Sequence, residues 1–295
     1  MTTNGSQKPA PGKENNGMYF PRGFDREMAM ELGALVVQAY GQFDAFEDER
    51  PWQLPAQYGL VRELSYDLKA GKGLDEKGGD FGLGKLLNIK RKGPSSMPIG
   101  FIASRGKRTF IVFRGTKTVK EWISNMGIGL KEYPLPDYGS VHEGFLQLYC
   151  SIRPAIIESL SQLGGRGRLY IAGHSLGAAL ATLALPDIEA SAKVKIDALY
   201  TFGSPRAGDD AFVRAFNRDY GRRSFRIANT SDIVTQVPFP IPLAGLVGAY
   251  FSHVDTPVDC TVQDKDLEKN HAMQTYLAAL EQARSRRSLF QRLFG

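Results

Sequence analysis

Residues 170–181 read Tyr-Ile-Ala-Gly173-His174-Ser175-Leu176-Gly177-Ala-Ala-Leu-Ala. A serine with glycines two places before and two places after it, set between an apolar run and an alanine-rich stretch, fits a sharp strand-to-helix turn. Such a turn lifts the Ser175 hydroxyl above a sheet. Gly173 and Gly177 remove the Cβ atoms that would clash there. The backbone N–H of Leu176, at the start of the following helix, faces the place where negative charge would develop in acyl transfer. The chemistry implied is nucleophilic attack by Ser175 on a carbonyl.

A serine at its ordinary pKa is a poor nucleophile and needs a base. The chain has four histidines. His174 adjoins Ser175 in the turn and points elsewhere, which suits packing. His142 precedes the turn, whereas hydrolases of this kind run serine, acid, histidine. His271, in Lys-Asn-His-Ala-Met-Gln just before a final amphipathic helix, is the first choice. His253, in Tyr-Phe-Ser-His-Val-Asp, is the second, with a role lining the pocket as its other reading. The acid should lie after a strand and before the histidine. Asp232, in Asn-Thr-Ser-Asp-Ile-Val-Thr-Gln-Val-Pro, meets that condition and would fix the imidazole tautomer. Asp197 sits at a strand start, and Asp209 and Asp210 read as helix caps. A second oxyanion donor should follow an earlier strand; Thr116, closing Phe-Arg-Gly-Thr, offers its N–H and hydroxyl.

The elements that would hold these groups follow from hydrophobic period. Residues 24–40 and 146–163 carry apolar residues at helical spacing, the second interrupted by Pro154, which marks either its first turn or a kink. Residues 99–103 and 109–113 are β-rich and joined through Gly106, a hairpin signal. Residues 67–97 read as loops. Beyond them strands at 169–172, 194–202 and 224–228 alternate with helices at 176–190 and 209–220. That alternation predicts an α/β fold: a mostly parallel central sheet flanked by helices on both faces, with working groups past the strands' carboxyl ends.

Five blocks occur in order: FRGT at 113–116, VHEGF at 141–145, GHSLGAALA at 173–181, TFGSPRAGD at 201–209 and RIANTSDIVTQVP at 226–238. Together they resemble the class 3, fungal-type lipase family over about residues 97–280. The resemblance implies an α/β-hydrolase fold and hydrolysis of acyl esters, usually of glycerolipids. It assigns Ser175 as nucleophile, Asp232 as acid, and Thr116 and Leu176 as oxyanion donors. For the base it is looser: His271 looks like the family's final histidine, and His253 resembles its strand histidine near the site. The family's lid would be a short helix after Thr116, where Val119, Trp122, Ile123 and Met126 share one helical face; a helix packed permanently on the core is the other reading. The apolar, proline-rich stretch from Pro238, including Phe239 and Leu243, would wall an acyl chain or serve as ordinary surface packing.

Composition limits the alternatives. Lys+Arg 37 against Asp+Glu 31 gives 37 − 31 = +6, scattered and without a nucleic-acid-binding motif, so no nucleic-acid partner is expected. Two cysteines, read as buried free thiols, exclude a disulfide scaffold and a cysteine-based zinc cluster. The reaction needs neither cofactor nor metal. Residues 1–20 read as a disordered tail, 21–284 as one hydrolase domain, and 285–295 as a basic amphipathic tail suited to docking on the core or to peripheral contact with an anionic membrane. No secretory signal or membrane span is seen, which leaves a cytoplasmic protein, peripheral on a membrane or free, as the expectation. The sequence therefore reads as a serine hydrolase of lipid acyl esters. An esterase of soluble short-chain or feruloyl-type esters and a catalytically silent lipase-like binding protein are the alternatives.

Overall fold

The computed structural model describes residues 18–67, 96–117, 129–165, 167–238, 251–254 and 256–294. Val119, Trp122, Ile123 and Met126 of the expected lid, and Phe239 and Leu243 of the expected acyl wall, lie outside these residues. So do residues 1–17 of the N-terminal stretch and nearly all of the 67–97 stretch read as loops.

Helix α1 (Arg26–Glu47) opens the described chain, with the Asp25 carboxylate accepting from the Met28 N–H as its N-cap. Strands β1 (Gly59–Asp67), β2 (Ser96–Arg105) and β3 (Arg108–Phe113) form an antiparallel edge, and Gly106, at φ +59°, makes the β2–β3 turn. A short ribbon of β4 (Leu130–Glu132) and β5 (Ser140–His142) leads into α2 (Glu143–Leu163). Then β6 (Arg168–His174), α3 (Leu176–Ala192), β7 (Ala198–Phe202), α4 (Asp210–Tyr220), β8 (Ser224–Asn229) and β9 (Thr256–Cys260) alternate as the sequence period predicts. Helices α5 (Leu267–His271) and α6 (Met273–Phe294) follow. The boundary expected at residue 284 falls within α6.

Among the described residues, seven strands form one sheet in the order β1-β2-β3-β6-β7-β8-β9, parallel from β3 onward. Successive side chains of a strand face opposite ways, and the sheet is buried on both sides accordingly. Ile111 and Phe113 of β3 join the cluster under α2 and α3, while Phe110 and Val112 join the one under α1 and α6. Helix α3 is apolar on every face, and Leu176–Ile188 is buried without a break. Such a helix must be central; α3 is sandwiched between α2 and the strands β3, β6 and β7.

Three local readings change. Pro154 lies in the interior of α2, not in its first turn. Its missing N–H leaves one helical carbonyl without a donor, and the packing of Tyr149, Ile152 and Ile156 on the core holds the helix together across that point. Cys150 is exposed, because it occupies the solvent side of α2 between buried Tyr149 and Ile152; Cys260, at the end of β9, is buried. Strand 194–202 shortens to β7, since Asp197 is spent in the turn before it, where its carboxylate accepts from the Leu169 N–H at 2.9 Å.

Candidate active site

Ser175 lies between β6 and α3 with φ 57° and ψ −128°, a strained conformation for a residue with a Cβ. Its N–H is tied to the Phe202 carbonyl at 3.0 Å. Both flanking glycines are sterically required. A Cβ at 173 would lie 2.1 Å from the Gly177 carbonyl oxygen, and one at 177 would lie 2.5 Å from that of Arg114. The N–H of Leu176, first residue of α3, is one of the helix's donors with no intrahelical acceptor.

Asp232 follows β8 and caps a short turn, its Oδ1 accepting from the Val234 N–H at 2.9 Å. Its Oδ2 accepts from His271 Nδ1 at 2.6 Å and from the Tyr276 hydroxyl. All three side chains are buried. With Nδ1 donating to the carboxylate, neutral His271 presents a lone pair on Nε2, the form a general base requires. His271 Nε2 is buried and makes no hydrogen bond here, so the link to Ser175 is open. Contacts of this kind tighten when substrate binds.

Thr116 follows β3. It is buried, and its Oγ1 has no partner among the described residues. Thr116 and His271 line one cavity of about 260 Å³, together with Val37, Tyr40, His174 and Met273. Lys117, at its rim, pairs with Asp44 at 2.8 Å and with Glu47.

The structure thus brings Asp232 to His271 and gathers Ser175, Leu176 and Thr116 at the same carboxyl edge. His253 stands apart from that pair: its Nε2 donates to the Thr235 carbonyl at 2.6 Å, and burial holds its pKa down at about 3. His142 caps α2 and stacks on Phe145, and Asp209 caps α4, as a helix cap should. His174 Nδ1 meets the Tyr40 hydroxyl at 2.7 Å, and its Nε2 meets the His271 carbonyl at 2.7 Å.

Sequence reasoning missed four supports. Tyr276 lies five residues beyond His271, in α6, across the extended residue Ala272. Gly203 sits at φ +55°, and a Cβ there would lie 2.9 Å from Asp232 Oδ2 and 3.0 Å from His271 Cε1. Arg114 is a buried guanidinium, lowered by burial to about 10. It lies over the Phe43 ring and donates to the carbonyls of Pro98 and Gly115, bracing the Thr116 segment. Tyr40 reaches that segment from α1, accepting from the Gly115 N–H at 3.0 Å. Arg114 and Gly203 fall inside the FRGT and TFGSPRAGD blocks, but nothing local gives any of the four its role, because their partners are distant in sequence.

The class 3 lipase family profile matches residues 110–241. The chain is 32% identical over 257 residues to the chloroplastic phospholipase A(1) DAD1 of Arabidopsis thaliana, an alignment covering 72% of this chain and 56% of that one. It is 31% identical over 147 residues to the secreted mono- and diacylglycerol lipase 1 of Fusarium solani, covering 47% and 42%. The chain spans about half the length of the curated relatives it matches. Lipase II from Rhizopus niveus superposes with a TM-score of 0.53 at 19% identity, over 73% of this chain and 76% of that one. The lipase of Rhizopus microsporus var. chinensis superposes with 0.51 at 23% identity, over 72% and 69%. Both share the α/β-hydrolase fold described above. The ordered blocks and the matched profile agree: over residues 110–241 the chain carries the class 3 lipase family pattern.

Proposed function

We propose that the protein is a serine carboxylester hydrolase that cleaves acyl esters of glycerolipids through an acyl-enzyme. The observation that carries this reading is the buried Asp232–His271 pair, 2.6 Å apart, set at the sheet edge that also holds the strained Ser175 turn. In the reaction Ser175 Oγ attacks the ester carbonyl carbon and its proton passes to His271 Nε2. The oxyanion is met by the N–H groups of Leu176 and Thr116. The C–O bond breaks as His271 returns the proton to the leaving alcohol. Water, deprotonated by His271, then attacks the acyl-enzyme, and the fatty acid and free Ser175 are released. Asp232 holds the tautomer throughout. The glycerolipid class comes from relatives that are a phospholipase A(1) and a mono- and diacylglycerol lipase.

Fatty-acid release from phosphatidylcholine vesicles, measured beside hydrolysis of soluble p-nitrophenyl butyrate, tests the reading. Turnover of vesicles is expected, with Ser175→Ala losing on the order of 10⁶-fold in kcat. Cleavage of the soluble ester alone would favour the short-chain esterase, and no turnover of either would favour a silent binding protein.

Residues 21–284 form the hydrolase unit in this proposal, and the basic, apolar-striped tail 285–295 supplies peripheral contact with an anionic membrane. No helix among the described residues is long and apolar enough to cross one. Four arginines, Arg284, Arg286, Arg287 and Arg292, would each contribute about 1 kcal/mol near an anionic surface. Truncation after Gln282 should abolish co-sedimentation with phosphatidylserine vesicles while leaving p-nitrophenyl butyrate hydrolysis within about twofold; retained co-sedimentation removes the tail from the account.

A further inference from the structure

We infer that Tyr40 and His174 are positioning residues, a hydrogen-bonded relay that sets the oxyanion segment against the main chain of the base. The inference rests on the hydrolase reading above and adds to it two side chains that never touch the reacting atoms.

The direction of every proton in the relay follows from its ends. The His271 carbonyl can only accept, so His174 Nε2, 2.7 Å away, carries the hydrogen. A neutral imidazole with its proton on Nε2 has a lone pair on Nδ1. The Tyr40 hydroxyl, 2.7 Å away, therefore donates to it. The hydroxyl oxygen is left to accept from the Gly115 N–H at 3.0 Å. The result is a one-way path: Gly115 to Tyr40 to His174 to the carbonyl of His271. It spans the segment carrying the Thr116 donor, the residue next to the nucleophile, and the residue that takes its proton.

The packing leaves little slack in this path. A Cβ at position 115 would lie 2.5 Å from the Ser175 Cβ and 2.7 Å from the Tyr40 hydroxyl. Gly115 is therefore pressed between the relay and the nucleophile, and a shift of Tyr40 is felt at both. The His174 and His271 rings lie 4.4 Å apart between centroids. His271 becomes cationic during turnover, so a neutral neighbour is needed at that distance. Burial, and then the proximity of His271, hold His174 well below the ordinary histidine range, and burial raises the Tyr40 hydroxyl. Both members stay uncharged while the base takes up and returns the proton of Ser175.

If the path only filled buried hydrogen-bonding needs, breaking it would lower stability and leave the chemistry alone. If it positions the oxyanion segment, breaking it weakens binding of the transition state more than binding of the ester. Tyr40→Phe keeps the ring and removes both hydrogen bonds. His174→Phe keeps a ring and removes both the N–H for the His271 carbonyl and the acceptor for Tyr40. The measurements are kcat and KM on p-nitrophenyl butyrate, the inhibition constant of n-butylboronic acid, which forms a tetrahedral adduct on the serine, and the melting temperature. Each variant is expected to lose roughly 10- to 100-fold in kcat, with KM within about twofold. The boronic acid inhibition constant should rise in step with the fall in kcat. Wild-type kcat in both variants overturns the relay, even if their melting temperatures fall. So does a rise in KM with kcat unchanged, or a kcat loss with unaltered boronic acid affinity. Labelling of the wild-type chain at Ser175 by a fluorophosphonate separates the two levels. A labelled, active wild type with unaffected variants refutes the relay alone, whereas an unlabelled, inactive wild type refutes the hydrolase reading and the relay with it.

Discussion

At the scale of single residues, the site depends on places where nothing larger than hydrogen fits. Gly203 shows this most directly. Its left-handed backbone costs an alanine about 1 kcal/mol or more, and the added methyl would reach Asp232, Tyr276 and His271 at 2.9–3.0 Å. Those three form one hydrogen-bonded group, and they are buried, so none can retreat into solvent. Gly203→Ala is expected to lower kcat on p-nitrophenyl butyrate by about 100-fold or more, the scale of a displacement near 1 Å. Circular dichroism should show the fold retained, and a kcat within threefold of wild type would remove Gly203 from the account. The motif TFGSPRAGD marks this position in sequence, but only the three-dimensional contact gives the glycine its reason.

At the scale of elements, what was legible divides by how local its cause is. Helices α3 and α4, strands β6 and β8, and the β2–β3 hairpin follow from period, caps and turn glycines, all written within a dozen residues. The roles of Ser175, Asp232 and His271 were expected from chain order and junction type, and the structure brings the last two into contact. Strands β1 and β9 were not read. Strand β1 alternates buried Leu64 and Tyr66 with more exposed neighbours, a pattern that is plain only once β2 lies beside it. Strand β9 is five residues with a proline at its second position, acceptable at a sheet edge and weak as a signal. Yet β9 leads the chain toward the base. Asn229, at the end of β8, clamps the segment after β9: its Nδ2 donates to the carbonyls of Val262 and Asn270 at 2.9 Å each, and its Oδ1 accepts from the Val262 N–H at 2.9 Å. Asn229→Ala strands these buried groups and should cost roughly 2–4 kcal/mol of unfolding free energy in urea titration. Its kcat should fall as well, because Asn270 immediately precedes His271. An unchanged midpoint would mean the clamp is idle.

At the scale of the molecule, two histidines held neutral, His174 buried and His253 half-buried, make folding sensitive to acid. His253 is lowered from 6.5 to about 3 by burial and by the Arg226 charge, and His174 is lowered well below 6.5. A histidine depressed in the folded state binds its proton more readily when unfolded. Their contribution is complete above about pH 6.5 and is lost progressively as pH falls toward 3. The melting temperature should therefore decline steadily from pH 6.5 to pH 4, and His253→Gln should make that decline shallower. A wild-type melting temperature that is flat across this interval would count against the assignment. The order of the site along the chain has a further consequence. Thr116, Ser175 and Asp232 follow β3, β6 and β8, while His271 arrives only after β9 has been laid at the far edge. During synthesis a ribosome-borne chain ending at β9 already holds the whole sheet and Ser175 but not His271, so on the proposed reading the nascent chain stays silent until α5 has emerged.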